Sequence, residues 1–335
     1  MKKKYSGVVV PLITPFNENH RLDEPAITCI SKNCARHDVS VLALGTTGES
    51  PSISSFQSRR LVKIVAEAIK GKTKIYACLT GNCVEENIEN AKAYIDAGAD
   101  VIVSVLPCYF SLKPMEMFSY YETLANSIDF PIMIYNIPST TNMSIPLEIV
   151  EALSKHPNIL GFKDSERDEE RMAQGVKLFR DRKDFSFFVG YAALCASSLR
   201  MGADGIIPST GNFVPGMFKQ LYDYSVNGQW KEAERMQKET NEIAQIYQEG
   251  RTLGESLHAL KVMMSEICLC KSVAIPPLSG LSDEDQKQIL AKTKVIIEKY
   301  EIQYEKETSH WDINGRSGWC GPGNYCKIID IKTHI

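Results

Sequence analysis

The sequence lacks several features that would assign it at once to a class. Its 38 basic and 41 acidic side chains leave a formal net charge of -3, which gives no electrostatic reason to expect nucleic acid as a partner. No apolar run is long enough to cross a bilayer, and too few apolar residues follow the basic residues 2–4 for a signal peptide. No metal, nucleotide or flavin motif stands out. We therefore expect a cytoplasmic protein with no nucleic-acid or membrane partner and no cofactor.

The ten cysteines do not form a recognisable framework. Several, such as Cys34 and Cys78, fall inside predicted helices or strands, as expected of buried or free thiols in a reducing compartment. Cys320 and Cys326 lie in a Gly-rich tail whose spacing matches no closed zinc pattern. A flexible tail or a disulfide loop is favoured there over a metal site.

Two short apolar runs each end in a reactive polar residue. Residues 131–135 end in Tyr135, and residues 159–163 end in Lys163. Bounded apolar runs of this length are typical of strands covered on both faces, so the polar residue marks where each strand leaves the core. At such a position the ammonium form of an amine loses part of its hydration. A larger fraction of the amine is then expected in the neutral, nucleophilic form. A phenol on the preceding strand is a suitable partner for moving protons.

A purely structural role for the same two residues is also open at this point. Lys163 could be a solvated lysine at a strand end that pairs with Asp164, and Tyr135 could simply fill the core. The remainder of the chain has to decide between the two interpretations.

Strands and helices alternate along most of the chain. The predicted strands are residues 7–13, 39–44, 74–79, 101–106, 131–135, 159–163, 185–189 and 204–207, and a helix follows each. Eight such units predict an α/β fold, the TIM (β/α)8 barrel. Asn82, with Glu85 three residues later, predicts a capping box at the start of the third helix.

A TIM barrel carries its chemistry at the carboxyl ends of its strands. Five polar side chains fall at such positions: Thr46, Thr47, Tyr109, Tyr135 and Lys163. The first two belong to residues 45–50, Gly-Thr-Thr-Gly-Glu-Ser, where two glycines permit a sharp turn that leaves amides and hydroxyls for a carboxylate. This convergence favours an active site over a structural role.

The chain continues beyond the eighth unit with three further helices, near residues 229–248, 254–269 and 283–300. The turn-like pair Asn227-Gly228 is a reasonable boundary. We therefore predict a catalytic barrel at 1–227, a C-terminal helical appendage at 228–300, and a tail of unknown structure at 301–335.

Three motifs, in this order, resemble those of the dihydrodipicolinate synthase and N-acetylneuraminate lyase superfamily, the pyruvate-dependent class I aldolases. Residues 45–50 match its carboxylate loop, residues 135–138, Tyr-Asn-Ile-Pro, match its phenol-bearing strand, and residues 161–164, Gly-Phe-Lys-Asp, match its Schiff-base strand. The resemblance covers roughly residues 5–300. It implies a homotetramer made of two tight dimers.

The resemblance also implies a role for each matched residue. Lys163 would condense with the ketone of a 2-oxo acid such as pyruvate, Tyr135 would transfer protons, and Thr46 with Tyr109 would form a hydroxyl relay to solvent. In family members the counterpart of Tyr109 lies near the tight-dimer interface. The residues expected to bind substrate are Thr47, Gly48, Thr140, Gly190, Ile207 and Ser209.

Departures from the family pattern bear on the substrate. The synthase branch has an arginine shortly after its catalytic tyrosine, where residues 139–141 are Ser-Thr-Thr. Gly190-Tyr191 is followed by two alanines instead of the acidic residues of the neuraminate branch. Residues 209–213, Ser-Thr-Gly-Asn-Phe, resemble relatives that act on 2-keto-3-deoxy sugar acids. The favoured substrate is therefore such an acid, made from or cleaved to pyruvate and an aldehyde.

Other functions stay open at the level of the sequence. One is the synthase reaction, which condenses pyruvate with aspartate semialdehyde, and another is dehydration of a keto-deoxy acid. A third is a catalytically silent barrel that binds a 2-oxo acid, although such a relative would more often have lost one of the five polar residues.

Overall fold

The computed structural model describes residues 3–303 and contains a closed barrel of eight parallel strands in sequential order. The strands are β1 (Gly7–Pro11), β2 (Ser40–Ala43), β3 (Ile75–Leu79), β4 (Val101–Val105), β5 (Ile132–Asn136), β6 (Ile159–Asp164), β7 (Ser186–Val189) and β8 (Gly205–Ile206). This topology confirms the predicted TIM barrel. Most of the predicted tail, from residue 304 onward, lies outside the described residues.

Helices surround the barrel and continue after it. They are α1 (Glu24–Arg36), α2 (Ser55–Ile69), α3 (Val84–Asp96), α4 (Pro114–Ser127), α5 (Pro138–Thr141), α6 (Leu147–Leu153), α7 (Glu169–Phe179), α8 (Cys195–Met201), α9 (Pro215–Val226), α10 (Trp230–Gln248), α11 (Leu253–Glu266) and α12 (Asp283–Lys299). The last three form the predicted helical appendage. Within residues 3–303, no helix is long and apolar enough to cross a membrane.

The strands are buried because both of their faces are covered. Every residue of β1, β3, β4 and β5 is buried, with one face towards the barrel interior and the other under the helices. Apolar side chains of the appendage, among them Met236, Ile243 and Met263, belong to the same hydrophobic cluster as the barrel strands. The boundary at Asn227-Gly228 stays a prediction, and Gly228 turns the chain there with a φ of +73°.

The register between β5 and β6 determines which face of the sheet Tyr135 and Lys163 occupy. Tyr135 pairs with Lys163, and Asn136 pairs with Asp164. Successive side chains of a strand point to opposite faces, whereas register partners point to the same face. The phenol and the amine therefore share one face, and the amide and the carboxylate share the other.

The predicted capping box at Asn82 is wrong. The residue before α3 is Cys83, which makes no capping hydrogen bond with its side chain. The Asn82 Oδ1 atom instead accepts hydrogen bonds from the backbone N–H groups of Cys108, at 2.8 Å, and Tyr109, at 3.1 Å. The side chain therefore holds the loop that follows β4, a contact that local sequence spacing does not reveal.

Of the cysteines within helices and strands, Cys34, Cys78 and Cys195 are buried, as predicted, and Cys29 is partly buried. Burial raises the pKa of the Cys34 and Cys78 thiols to about 12, which disfavours the reactive thiolate. Cys268 differs from the expected free thiol because it takes part in a disulfide.

Candidate active site

Lys163 and Tyr135 lie side by side at the carboxyl ends of β6 and β5. The Lys163 side chain is only 3% exposed, and its Nζ atom lies 3.7 Å from the centroid of the Tyr135 ring. A cation at this distance over an aromatic face is attracted by the electrons of the ring. Lys163 belongs to none of the ion pairs found within residues 3–303. The amine is thus held in place by a ring face and not neutralised by a carboxylate.

Asp164 does not pair with Lys163, so the structural interpretation of this pair is wrong. Its Oδ2 atom lies 2.9 Å from Arg171 Nε, and its Oδ1 atom accepts a hydrogen bond of 2.8 Å from Asn136. The alternation of side chains along β6 explains the separation, because neighbouring residues face opposite ways.

The Asp164 carboxylate is the centre of a buried network on that opposite face. Glu166 is the second carboxylate of the network. Its Oε2 atom lies 3.1 Å from Arg171 Nε and accepts a hydrogen bond of 2.9 Å from Asn136. Burial raises the pKa of Asp164, while Arg171 and Asn136 oppose that rise. The network ties the ends of β5 and β6 together and so fixes the separation of the residues on the reactive face.

Thr46 completes a contact with the phenol. Its Oγ1 atom lies 3.4 Å from the Tyr135 hydroxyl, within hydrogen-bond reach. The threonine opens the single 3-10 turn Thr46–Gly48 that follows β2. The structure therefore brings Thr46, Tyr135 and Lys163 together, as predicted from strands far apart in the sequence.

The loop that carries Thr46 and Thr47 is held in an unusual conformation. Leu44 and Glu49, which flank it, have φ values of +60° and +56°, a left-handed conformation that costs a residue other than glycine about 1–3 kcal/mol. A Cβ atom on Gly48 would lie 3.0 Å from the Leu12 carbonyl oxygen, so the backbone approaches too closely for a side chain. Thr14 donates a hydrogen bond of 2.7 Å to the Gly48 carbonyl.

Gly190 packs directly against Ser165 and the aliphatic part of the Lys163 side chain. A Cβ atom at this position would lie 3.1 Å from Lys163 Cε and 2.0 Å from Ser165 Oγ. The glycine is therefore required by contact with its neighbours, and Ser165 emerges as a hydroxyl close to the lysine that the sequence reading missed. Ser165 directly follows β6, and its position two residues after Lys163 places it on the same side if the alternation of the strand continues, which was the signal that could have found it.

Other predicted residues lie at the barrel mouth with their polar groups engaged elsewhere. Thr140 donates a hydrogen bond of 3.2 Å to the Ile137 carbonyl, and Ser209 Oγ lies 2.8 Å from the hydroxyl of Tyr247 on α10. Ile207 is buried, and its N–H donates to the Val189 carbonyl at 2.8 Å.

Tyr109 is not brought to the other polar residues within a single chain. Its side chain is 79% exposed, and its ring packs edge-on against Phe110 with the centroids 4.9 Å apart. A relay through this phenol therefore requires the surface around it to meet another molecule.

Comparison with known proteins agrees with this geometry. Residues 4–296 match the Dihydrodipicolinate synthetase family. A 4-hydroxy-tetrahydrodipicolinate synthase of Protochlamydia amoebophila is 30% identical over 68% of this chain and 76% of its own. An uncharacterized DapA-like lyase of Thermofilum pendens is 29% identical over 86% of this chain and 96% of its own.

Solved structures show the same architecture. The dihydrodipicolinate synthase of Bacteroides thetaiotaomicron superposes with a TM-score of 0.83 at 27% identity, over 88% of this chain and 100% of that one. The family match spans both the barrel and most of the appendage. The predicted resemblance and the predicted enzyme class, a lyase, are thereby confirmed. The chain belongs to the dihydrodipicolinate synthetase family of TIM-barrel lyases.

Proposed function

We propose that the protein forms a Schiff base through Lys163 and makes or breaks a carbon-carbon bond between pyruvate and an aldehyde. The observation that carries this proposal is the buried amine of Lys163, which pairs with no carboxylate within residues 3–303 and lies over the phenol ring of Tyr135. An amine in such a site is a nucleophile for ketones, and a phenol beside it can supply and accept the protons that the addition requires. The reaction needs no metal or organic cofactor.

The first half of the reaction captures the ketone. The Lys163 nitrogen adds to the keto carbon of the 2-oxo acid, and the oxygen of the resulting carbinolamine takes a proton from the Tyr135 hydroxyl. Loss of water then leaves an iminium group. Tyr135 is then a phenolate, and the Thr46 hydroxyl, within 3.4 Å of its oxygen, stabilises the negative charge by donating a hydrogen bond.

The second half breaks or makes the carbon-carbon bond. In cleavage, Tyr135 removes the proton of the hydroxyl that becomes the aldehyde, and the electrons of the breaking bond flow into the iminium to give an enamine. Protonation of the enamine carbon and hydrolysis of the imine then release pyruvate and the free lysine. Synthesis is the same sequence in reverse.

The loop at residues 45–49 supplies the site for the carboxylate of the 2-oxo acid. Its hydroxyls, at Thr46 and Thr47, and its fixed backbone lie beside the phenol that acts on the adjacent carbon. Gly48 and Gly190 let the backbone around the site pack closely, since a side chain on either would meet neighbouring protein atoms. Thr140, Ile207 and Ser209 line the mouth, where the second substrate enters.

The second substrate is proposed to be the aldehyde part of a 2-keto-3-deoxy sugar acid. Residues 139–141 offer hydroxyls and no cation for a carboxylate. The Thr140 and Ser209 hydroxyls each take part in a hydrogen bond with the protein, but their oxygens can still accept a hydrogen bond from the hydroxyls of a sugar chain.

A second candidate is the synthase reaction with aspartate semialdehyde. The observation in its favour is that the relative from P. amoebophila, at 30% identity, is named as a 4-hydroxy-tetrahydrodipicolinate synthase. Incubation of the enzyme with pyruvate and a panel of aldehydes decides between the two. Consumption of aspartate semialdehyde faster than hydroxylated aldehydes would overturn the sugar-acid proposal.

The proposed assembly is a homotetramer, a dimer of tight dimers, working in the cytoplasm. Tyr109 and Phe110 form an exposed aromatic pair, and exposed aromatic surface of this kind favours contact with another protein. Contact between two copies would bury Tyr109 and bring it towards the hydroxyl relay.

Trapping with borohydride tests the proposed chemistry directly. Incubation with pyruvate and borohydride reduces an imine to a stable amine, which mass spectrometry locates in a peptide. We expect the adduct on Lys163 and none on a Lys163→Met variant. An unmodified wild-type protein would contradict the proposal and favour a silent barrel that only binds 2-oxo acids.

A further inference from the structure

A buried ion pair joins the appendage to the substrate loop. Lys261 lies on α11, Glu49 is the residue that follows Gly48, and their side chains are in contact while only 1% and 2% exposed. Neither residue takes part in the proposed chemistry. The contact therefore needs a separate explanation.

The Lys261 ammonium is fixed from three directions. Besides the Glu49 carboxylate, it meets the Val273 carbonyl, to which it donates a hydrogen bond of 3.0 Å. It also lies 4.6 Å from the centroid of the buried Phe16 ring. A long, flexible side chain that is held in this way presents its charge at one point in space.

Glu49 in turn fixes the end of the substrate loop. Its backbone is left-handed, and its N–H donates a hydrogen bond of 3.1 Å to the carbonyl of Thr46, the residue that contacts the phenol. A residue other than glycine keeps that conformation only where its surroundings impose it. The side chain of Glu49 supplies such a restraint through Lys261.

Stability alone does not account for a pair of this kind. Removing two charges from water is costly, and replacing a buried ion pair by apolar groups of similar volume is often neutral or stabilising. Burial raises the pKa of the Glu49 carboxyl, and the Lys261 charge opposes that rise. Because burying the Glu49–Lys261 pair costs its hydration, the pair is better explained by the conformation that it imposes on the loop at residues 45–49.

We propose that Lys261 is a positioning residue for the carboxylate site, acting from the appendage on the loop at residues 45–49 through Glu49. This inference rests on the proposed function, because it assigns the loop to the carboxylate of the 2-oxo acid. Its consequence is that binding of a 2-oxo acid and the order of α11 are coupled.

The first test replaces both partners, Glu49→Gln with Lys261→Met, so that no unpaired charge is left in the interior. We expect the pyruvate concentration that half-saturates borohydride trapping to rise at least about tenfold, while saturating pyruvate still labels Lys163. Lys271→Met, which removes the exposed pair with Glu18, is the matched control and leaves half-saturation unchanged. A folded double variant with wild-type half-saturation would overturn the inference.

A second test needs no variant. By reciprocity, pyruvate trapped on the wild-type enzyme slows hydrogen exchange in peptides from residues 253–266, as well as in the loop. Peptides from residues 283–299 serve as the internal control and keep their exchange rates. Protection of the loop without any change in residues 253–266 would refute the coupling. Failure of wild-type trapping itself would instead contradict the proposed function.

Discussion

Tyr135 and Lys163 are register partners on neighbouring strands, and the lysine Nζ atom lies 3.7 Å from the centroid of the tyrosine ring. Register in a parallel sheet fixes which side chains share a face, so the amine and the phenol are brought together by the backbone ladder itself. Groups placed on strands are held more precisely than groups on loops. The network around Asp164 on the opposite face reinforces the same pair of strands.

Replacing Tyr135 by Phe keeps the ring under the amine and removes the hydroxyl. Turnover is expected to fall by about two to four powers of ten, the usual effect of losing a general acid-base group. Tyr300→Phe is the matched control, because that hydroxyl belongs to the C-terminal appendage and donates to Glu242 on α10 at 2.6 Å. Steady-state rates for both variants provide the measurement, and equal losses would rule out a specific role for Tyr135.

A methyl group added at position 190 should block the site. In Gly190→Ala the new carbon meets Ser165 Oγ and Lys163 Cε, so we expect imine trapping to slow by about tenfold or more. The double variant Ser165→Ala/Gly190→Ala removes the nearest of these contacts and should recover part of the rate. Wild-type trapping kinetics in Gly190→Ala would show that the space beside the amine is not needed.

The hydroxyl of Tyr247 should contribute to stability. It lies 2.8 Å from Ser209 Oγ and 2.9 Å from Thr210 Oγ1, and Gln248 donates to it at 2.8 Å. Tyr247→Phe leaves these buried groups short of a partner, which is expected to lower the free energy of unfolding by about 1–3 kcal/mol. Urea denaturation measures the difference, and an unchanged midpoint would contradict this assignment.

His258 should make the fold sensitive to acid. Its Nδ1 atom accepts a hydrogen bond from the Leu281 N–H, so the ring is neutral with its proton on Nε2, which donates to the Ser272 carbonyl at 2.9 Å. Burial lowers the pKa of His258 below its usual 6.5, and the Lys261 charge lowers it further, against the Ser272 contact.

Because the folded pKa is depressed, the unfolded chain binds more protons below pH 6.5. The stability from this group is complete above that value and is lost as the pH falls through the folded pKa. We expect the unfolding free energy to decline as the pH falls below about 6.5, and less steeply in His258→Gln. His20→Gln, at an exposed site, is the control. An identical decline in both variants would eliminate His258 as the cause.

The fold was largely predictable because its signals are local. A proline at the start and an apolar face predict helices over residues 114–127 and 215–226, and α4 and α9 begin and end at those residues. The strands are shorter than predicted at several ends, as in β8, because an apolar residue beside a strand is buried whether or not it joins the ladder.

The candidate site was predictable only where it lies on strands or in the turn that directly follows one. Lys163, Tyr135 and Thr46 came together because the barrel topology dictates where strand ends meet. The contacts of Glu49 with Lys261 and of Ser209 with Tyr247 could not be foreseen, because their partners arrive from helices outside the repeating units. Periodicity describes which face a residue occupies but says nothing about which distant side chain will meet it.

Two of the three appended helices, α10 and α11, each contribute one polar side chain beneath the rim of the barrel, Tyr247 and Lys261. In a protein truncated after Asn227, the Glu49 carboxylate would lose its ion-pair partner. The hydroxyls of Ser209 and Thr210 would lose their hydrogen-bond partner, Tyr247. A chimera that contains this barrel must also contain α10 and α11. Exchange of these two helices between homologues would change the rate of the reaction without changing any reacting group.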